Sequence, residues 1–292
     1  MTFAQKVKNE LCTQTAVNAC CRRAELYGLL LFGRLFSPKG MLVQSENREI
    51  IDRAASLLSG LGAAAVPSVS SRGDGRPVLA LHIHGGGLFE SFGHNGQSVT
   101  LRLNRANLEN DCCNAAFLRG AFLICGSMVD PAKDYHLEFV SPHLKLGSDL
   151  ADLLQELSFE PKTIVRKGNF VVYFKESGQI EDMLTLMGAV HSSLELMDIK
   201  VYKDLRNKVN RVTNCETANI GKTVYAASEQ IEAIRRLFAS PGETLPEELR
   251  EMARIRLEYP DASLRELAAL AGISRSGVNH RLKRIVEIAK NQ

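Results

Sequence analysis

The chain repeats itself, and that duplication constrains its fold more than any other feature. The stretch Ala24-Glu25-Leu26-Tyr27-Gly28-Leu29-Leu30-Leu31-Phe32-Gly33 returns as Ala116-Phe117-Leu118-Arg119-Gly120-Ala121-Phe122-Leu123-Ile124-Cys125-Gly126, with Leu26 and Leu118, and Gly28 and Gly120, each 92 positions apart. Further on, Ala55 to Leu61 returns as Ala151 to Leu157 at an offset of 96. A proline follows each of these AxLLxxL stretches, Pro67 or Pro161, and then comes an extended run broken by Gly73-Asp74-Gly75 or by Lys167-Gly168-Asn169. Asp-Gly and Gly-Asn tolerate the positive φ of a tight turn, so both runs predict β-hairpins. Each half therefore predicts helix, short strands, helix, hairpin, helix. The expected product is one pseudo-twofold α+β domain over residues 1–200, built from tandem half-repeats at about 24–105 and 116–200.

Strand signals stop near Lys200. A helical connector is expected over 201–243, basic in character: Lys200 to Ser240 carries a net charge of +4. Its Asn210-Arg211-Val212-Thr213-Asn214 pattern suits a phosphate contact or a fixed domain angle. The break Ser240-Pro241-Gly242-Glu243 then separates it from an all-α unit at 244–292. Within that unit Pro246 to Glu258 predicts one helix, Ser263 caps a second running to Ala271, and Ser274 caps a third reaching about Lys290. Ala268, Gly272 and Val278 have helix-turn-helix spacing. Alanine lets the two helices approach, glycine takes the positive φ between them, and valine seats the next helix on the core.

The third helix is expected to expose Arg275, Ser276, Asn279, His280, Arg281, Lys283 and Arg284, with Val278, Leu282, Ile285 and Ile288 behind. That pattern reads as a recognition helix, because arginine and asparagine can pair bidentately with guanine and adenine edges in the major groove. Serine and lysine, with the remaining arginines, can hold phosphates. Ser263, Arg265 and Ser274 complete the predicted DNA-binding set. Ser274 to Gln292 has a net charge of +4, whereas the 292-residue chain as a whole has only +3, so a nucleic-acid partner must be served by this local patch.

Composition sets the outer limits. With 45% hydrophobic and 24% charged residues the chain is an ordinary folded protein of two or three domains. Its longest apolar runs, Leu29 to Phe32 and Ala121 to Cys125, are far shorter than the roughly 20 residues a bilayer demands. Met1 to Leu11 reads as an amphipathic helix, since Lys6, Lys8 and Glu10 interrupt the apolar core an export signal needs. A cytoplasmic, nucleoid-associated protein without a membrane partner or small-molecule substrate is expected. Seven cysteines with no CxxC pair fit reduced thiols better than a disulfide framework or a zinc knuckle, so neither metal nor cofactor is expected.

Other motifs are incomplete. Gly221-Lys222-Thr223 lacks the upstream glycine and strand of a P-loop. His84-Gly85-Gly86-Gly87 has no GxSxG nucleophile to serve. His82 and His84 share one strand face, with His94 further on, a pattern more often a polar face than a metal site.

The paired segments Leu26 to Arg34 and Leu118 to Gly126 resemble the LAGLIDADG helices of homing endonucleases, which pack through small residues and each deliver an acidic metal ligand at their end. Followed residue by residue, the resemblance puts Gly33 and Cys125 where that family has its catalytic aspartates. Asp130 and Asp134 lie a few residues downstream, on either side of Pro131, and are not placed at a helix end to replace them. Two-metal cleavage needs hard oxygen ligands for Mg²⁺, which glycine lacks and a thiol does not supply. No catalytic residue is expected.

A LAGLIDADG-like domain without its carboxylates, joined to a helix-turn-helix, resembles the WhiA proteins of Gram-positive bacteria. The parts that carry this are Cys20-Cys21-Arg22-Arg23-Ala24-Glu25-Leu26, Phe117 to Phe122, Asn210 to Asn219 and Ser263 to Lys283. The resemblance implies a DNA-binding transcriptional regulator tied to cell division, chromosome segregation and, in filamentous relatives, sporulation. Double-stranded DNA is the expected partner. The rival readings are an active metal-dependent endonuclease that draws carboxylates from elsewhere, and a protein-interaction scaffold for another transcription regulator or RNA polymerase.

Overall fold

The computed structural model describes all residues except 16–17, 72–76, 85–86, 97–99, 240–244 and 292. The Gly73-Asp74-Gly75 turn, part of the His84 to Gly87 run and the Ser240 to Glu243 break thus lie outside the described residues. The chain divides into a unit of Met1–Lys203 and a unit of Asp204–Gln292.

The first unit repeats one motif. In the first half, α1 (Phe3–Cys12) precedes α2 (Ala19–Leu31), β1 (Leu35–Ser37), β2 (Gly40–Ser45), α3 (Arg48–Ser59), β3 (Ala65–Ser71), β4 (Pro77–His84) and α4 (Gly87–Ser91). The second half has α5 (Asp111–Cys125), β5 (Gly126–Met128), β6 (Leu137–Ser141), α6 (Leu144–Glu156), β7 (Lys162–Arg166), β8 (Asn169–Phe174) and α7 (Ser177–Met187). Both antiparallel sheets have the same strand order, β1-β2-β4-β3 and β5-β6-β8-β7. The second hairpin turns through Lys167 and Gly168, with φ of 50° and 80°. These values suit the primed turns that match strand twist. The closing helix is short in the first half and full-length in the second.

Helices α2 and α5 form the centre. Both are buried nearly all round, which explains why Leu29 to Phe32 carries no polar face. Their approach depends on two glycines: a methyl group on Gly28 would collide with the Phe117 carbonyl oxygen, and one on Gly120 with that of Glu25. Beside this contact Glu25 is fully buried. Its Oε1 and Oε2 accept from Arg53 Nε at 2.8 Å and Nη2 at 2.9 Å, while Arg119 Nε reaches Oε2 at 3.1 Å and its Nη1 donates to the Met187 carbonyl at 2.8 Å. A buried carboxylate is tolerable only with such pairing. This network breaks the internal symmetry, since the positions 92 away from Glu25 and Arg119 are Phe117 and Tyr27.

Helix α8 runs from Val190 to Ala239 without interruption. The stretch 201–243, read from sequence as a separate connector, is over its described residues a continuation of this helix. Leu196, near its start, belongs to the core of the first unit, whereas Ile234 and Leu237 belong to that of the second. Three further helices complete the second unit: α9 (Glu247–Glu258), α10 (Leu264–Ala271) and α11 (Arg275–Lys290). Among the described residues no helix is long and apolar enough to cross a membrane.

Candidate nucleic-acid interface

Local chemistry fixes the C-terminal helices. The Ser263 hydroxyl accepts from the Glu266 amide at 3.3 Å while the Glu266 carboxylate accepts from the Ser263 amide at 2.7 Å, a reciprocal cap that holds Glu266 below the usual carboxylate range. Gly272 ends α10 with φ of 63°, and Ser274 starts α11 by accepting from the Gly277 amide at 3.1 Å. Val278, Leu282 and Ile285 are fully buried against Met252, Ala253 and Leu267. The opposite side of α11 is thereby turned outward.

Arg275, Ser276, His280, Lys283 and Arg284 are exposed there, as is Arg265 on α10. Two members of the predicted set differ. Asn279 is half-buried, and Arg281 is half-buried with its guanidinium 3.2 Å from Glu248 of α9. The expectation that α11 fully exposes Arg281 is therefore corrected: this arginine bridges α11 to α9. Ser263 and Ser274 spend their hydroxyls as caps. Ser263, Arg265, Arg275 and Asn279 line one concavity with Lys222, and Ser276, His280 and Arg284 line another on the opposite flank of α11.

In the first unit the ends of α2 and α5 open into a cleft of about 980 Å³ lined by Lys8, Arg34, Gln44, Glu46 and Ser127 among others. The Lys8 ammonium is pushed below its ordinary range by burial, against the opposing pull of Cys125 and Cys12. Burial pushes the Cys125 thiol up to about 12, so it is protonated at neutral pH. Gly33 is hemmed in, since a Cβ there would lie 2.9 Å from the carbonyl oxygens of Leu30 and Leu42. Asp130 and Asp134 are exposed, and their carboxylates accept from the Ala132 and Tyr135 amides in a turn. Lys8 and Glu46 both line this cleft, and the positions matched to the endonuclease aspartates are held by Gly33 and Cys125.

The minor motifs separate in space. Gly221-Lys222-Thr223 lies inside α8 and forms no phosphate loop. His82 Nε2 is 2.9 Å from the Ser68 hydroxyl, while His94 Nε2 is 2.8 Å from the Tyr27 hydroxyl amid aromatic rings, so the histidines form no common site.

One constellation escaped the sequence reading. Cys20, Cys21, Cys112 and Cys113 have their four sulfurs within 4.8 Å of one another, and they are the one such group of potential metal ligands among the described residues. The signal was available: Cys112 and Cys113 follow Cys20 and Cys21 by 92 positions, the offset of the central helices. Half-repeats begun at Ala24 and Ala116 start one turn too late to include them.

Fold and site together define a duplicated LAGLIDADG-like domain followed by a helix-turn-helix domain. Residues 114–206 match the profile of the WhiA LAGLIDADG-like domain and residues 209–289 that of the WhiA C-terminal HTH domain. A probable cell division protein WhiA of Alkaliphilus metalliredigens is 38% identical over 312 residues, spanning 100% of this chain and 98% of the relative. One from Desulforudis audaxviator is 38% identical over 305 residues, spanning 100% and 97%. The crystal structure of full-length DUF199/WhiA from Thermatoga maritima shares the fold, with a TM-score of 0.61 at 24% identity over 100% of this chain and 99% of that one. The N-terminal LAGLIDADG domain of DUF199/WhiA matches with a TM-score of 0.52 at 18% identity, over 64% of this chain and 90% of that one. The chain belongs to the WhiA family.

Proposed function

We propose that this protein is a sequence-specific DNA-binding transcription regulator, acting in cell division and chromosome segregation, whose duplicated domain does not cut DNA. The observation that carries the reading is the outward side of α11, where Arg275, Ser276, His280, Lys283 and Arg284 stand on a helix fixed by its Ser274 cap and three buried apolar side chains. Arg275 and Asn279 read bases in the major groove; Lys283 and Arg284 hold phosphates, with Ser263, Arg265, Ser274, Ser276 and His280 as flanking contacts. Arg281 contributes through its position against Glu248. In this reading the protein works in the cytoplasm on the nucleoid, and the first unit serves as an accessory surface for DNA or for another regulator or RNA polymerase.

Selection of bound fragments from random duplex DNA by the full chain tests this directly. A single recurring motif is expected; recovery of unrelated sequences only would overturn the reading. Cleavage is tested separately. Supercoiled plasmid carrying the selected motif should stay intact in Mg²⁺ or Mn²⁺, because Gly33, Cys125 and Lys8 supply no hard anionic ligand pair. Nicking that persists through repurification and disappears on changing Glu46 to Gln would instead establish the endonuclease.

A further inference from the structure

Helices α2 and α5 begin side by side, and each carries a vicinal cysteine pair in its first turn: Cys20 and Cys21, and Cys112 and Cys113. Cys21 and Cys113 are buried, Cys20 is half-buried and Cys112 exposed. Cys21 Sγ also donates to the Cys112 carbonyl at 3.6 Å, so the two pairs already touch. We infer that these four sulfurs form a tetrathiolate site for one Zn²⁺, each half of the duplication contributing two ligands.

Distance selects the metal. Four thiolates at about 2.3 Å from Zn²⁺ stand roughly 3.8 Å apart at the corners of a tetrahedron. Sulfurs all within 4.8 Å of one another need only a small contraction to reach that arrangement. An iron–sulfur cluster holds its cysteines farther apart, because further irons and bridging sulfides stand between them. Hard cations such as Mg²⁺ and Ca²⁺ prefer oxygen and are excluded by the donor set.

The surroundings suit an anionic centre. Neither α2 nor α5 has a side-chain cap at its N-terminus: Asn18 and Asn110 occupy the cap positions without accepting a first-turn amide. The four sulfurs therefore sit beside the first-turn peptide groups that form the positive ends of the two helix dipoles. A zinc tetrathiolate carries two net negative charges, which these groups stabilise. Binding replaces four S–H protons by one cation, and the four protons pass to solvent. No oxidant or reductant is required. The ion would clamp the two halves of the duplication together at the ends of their central helices, opposite the Cys125 end.

Elemental analysis of the full chain, purified under reducing conditions and dialysed against metal-free buffer, should find one Zn²⁺ per chain. A thiol-specific mercurial should release it stoichiometrically. Replacement by Co²⁺ should give the intense visible bands of a tetrahedral cobalt thiolate, a readout that needs only the unaltered protein. Cys112→Ser, at the exposed ligand, should lose the cobalt spectrum's tetrathiolate form and weaken Zn²⁺ retention at least tenfold, whereas Cys125→Ser should keep both. The inference is overturned if the reduced protein takes up neither Zn²⁺ nor Co²⁺, if the cysteines prove joined as disulfides between α2 and α5, or if an iron–sulfur chromophore occupies them.

Discussion

Gly120→Ala should cost the first unit about 3 kcal/mol or more, and Gly120→Val should prevent it from folding. Overpacking a core usually costs about 1 to 3 kcal/mol, because neighbouring side chains can change rotamer. At Gly120 the obstacle is the backbone carbonyl of Glu25, and at Gly28 that of Phe117, so relief requires the two central helices to separate. Separation would also pull Arg119 from Glu25 and leave a buried charge partly unpaired. Domain stabilities are only about 5 to 15 kcal/mol, so the larger substitution exceeds what the unit can absorb. Gly178→Ala in α7 is the control: a Cβ there meets nothing within 4 Å, and alanine should leave stability unchanged or raise it by about 0.5 to 1 kcal/mol. Denaturant titration followed by circular dichroism distinguishes these outcomes. A Gly120→Ala protein as stable as wild type would mean the helices do not approach through this glycine.

The second large effect concerns DNA. Arg275→Ala should lower affinity for the selected motif by about 1 to 3 kcal/mol, roughly five- to over a hundredfold, and relax preference at one base position. Binding to random duplex should change far less. Lys283→Ala should weaken both kinds of binding alike and reduce the salt slope by about one charge. Fluorescence anisotropy over a salt series separates the two roles. Equal losses on specific and random DNA in both variants would end the division between base reading and phosphate holding. Arg281→Ala offers a third comparison, since this arginine is held by Glu248 and its loss should act mainly through helix packing.

The parts of the fold that local chemistry determines were readable in the sequence. Ser263, Gly272 and Ser274 mark the C-terminal helix boundaries because a cap needs only residues two or three positions away. The duplication was readable because recurrence at a fixed offset survives divergence. What was not readable depends on partners distant in the chain. The Arg281–Glu248 pair needs the packing of α11 on α9, and the Glu25–Arg119 contact joins residues from different halves. The cysteine cluster is intermediate: its spacing is in the sequence, but its convergence follows only once α2 and α5 are known to start together. A search for ligands within one CxxC window could not find a site divided between two copies.

The Glu25 network has a consequence for how such a chain can have arisen and what it can no longer become. If two copies of the second half were paired, each would bring a buried arginine to a phenylalanine, since Phe117 stands where the first half has Glu25. Two copies of the first half would leave each buried glutamate with its Arg53 but opposite a tyrosine in place of Arg119. The first pairing strands an arginine in the packed centre of the domain, and the second takes away one of the two arginines that hold each glutamate. Whatever self-complementary ancestor the duplication began from, its descendants have become left and right hands, and that specialisation acts as a ratchet: neither half can be doubled, exchanged or dispensed with.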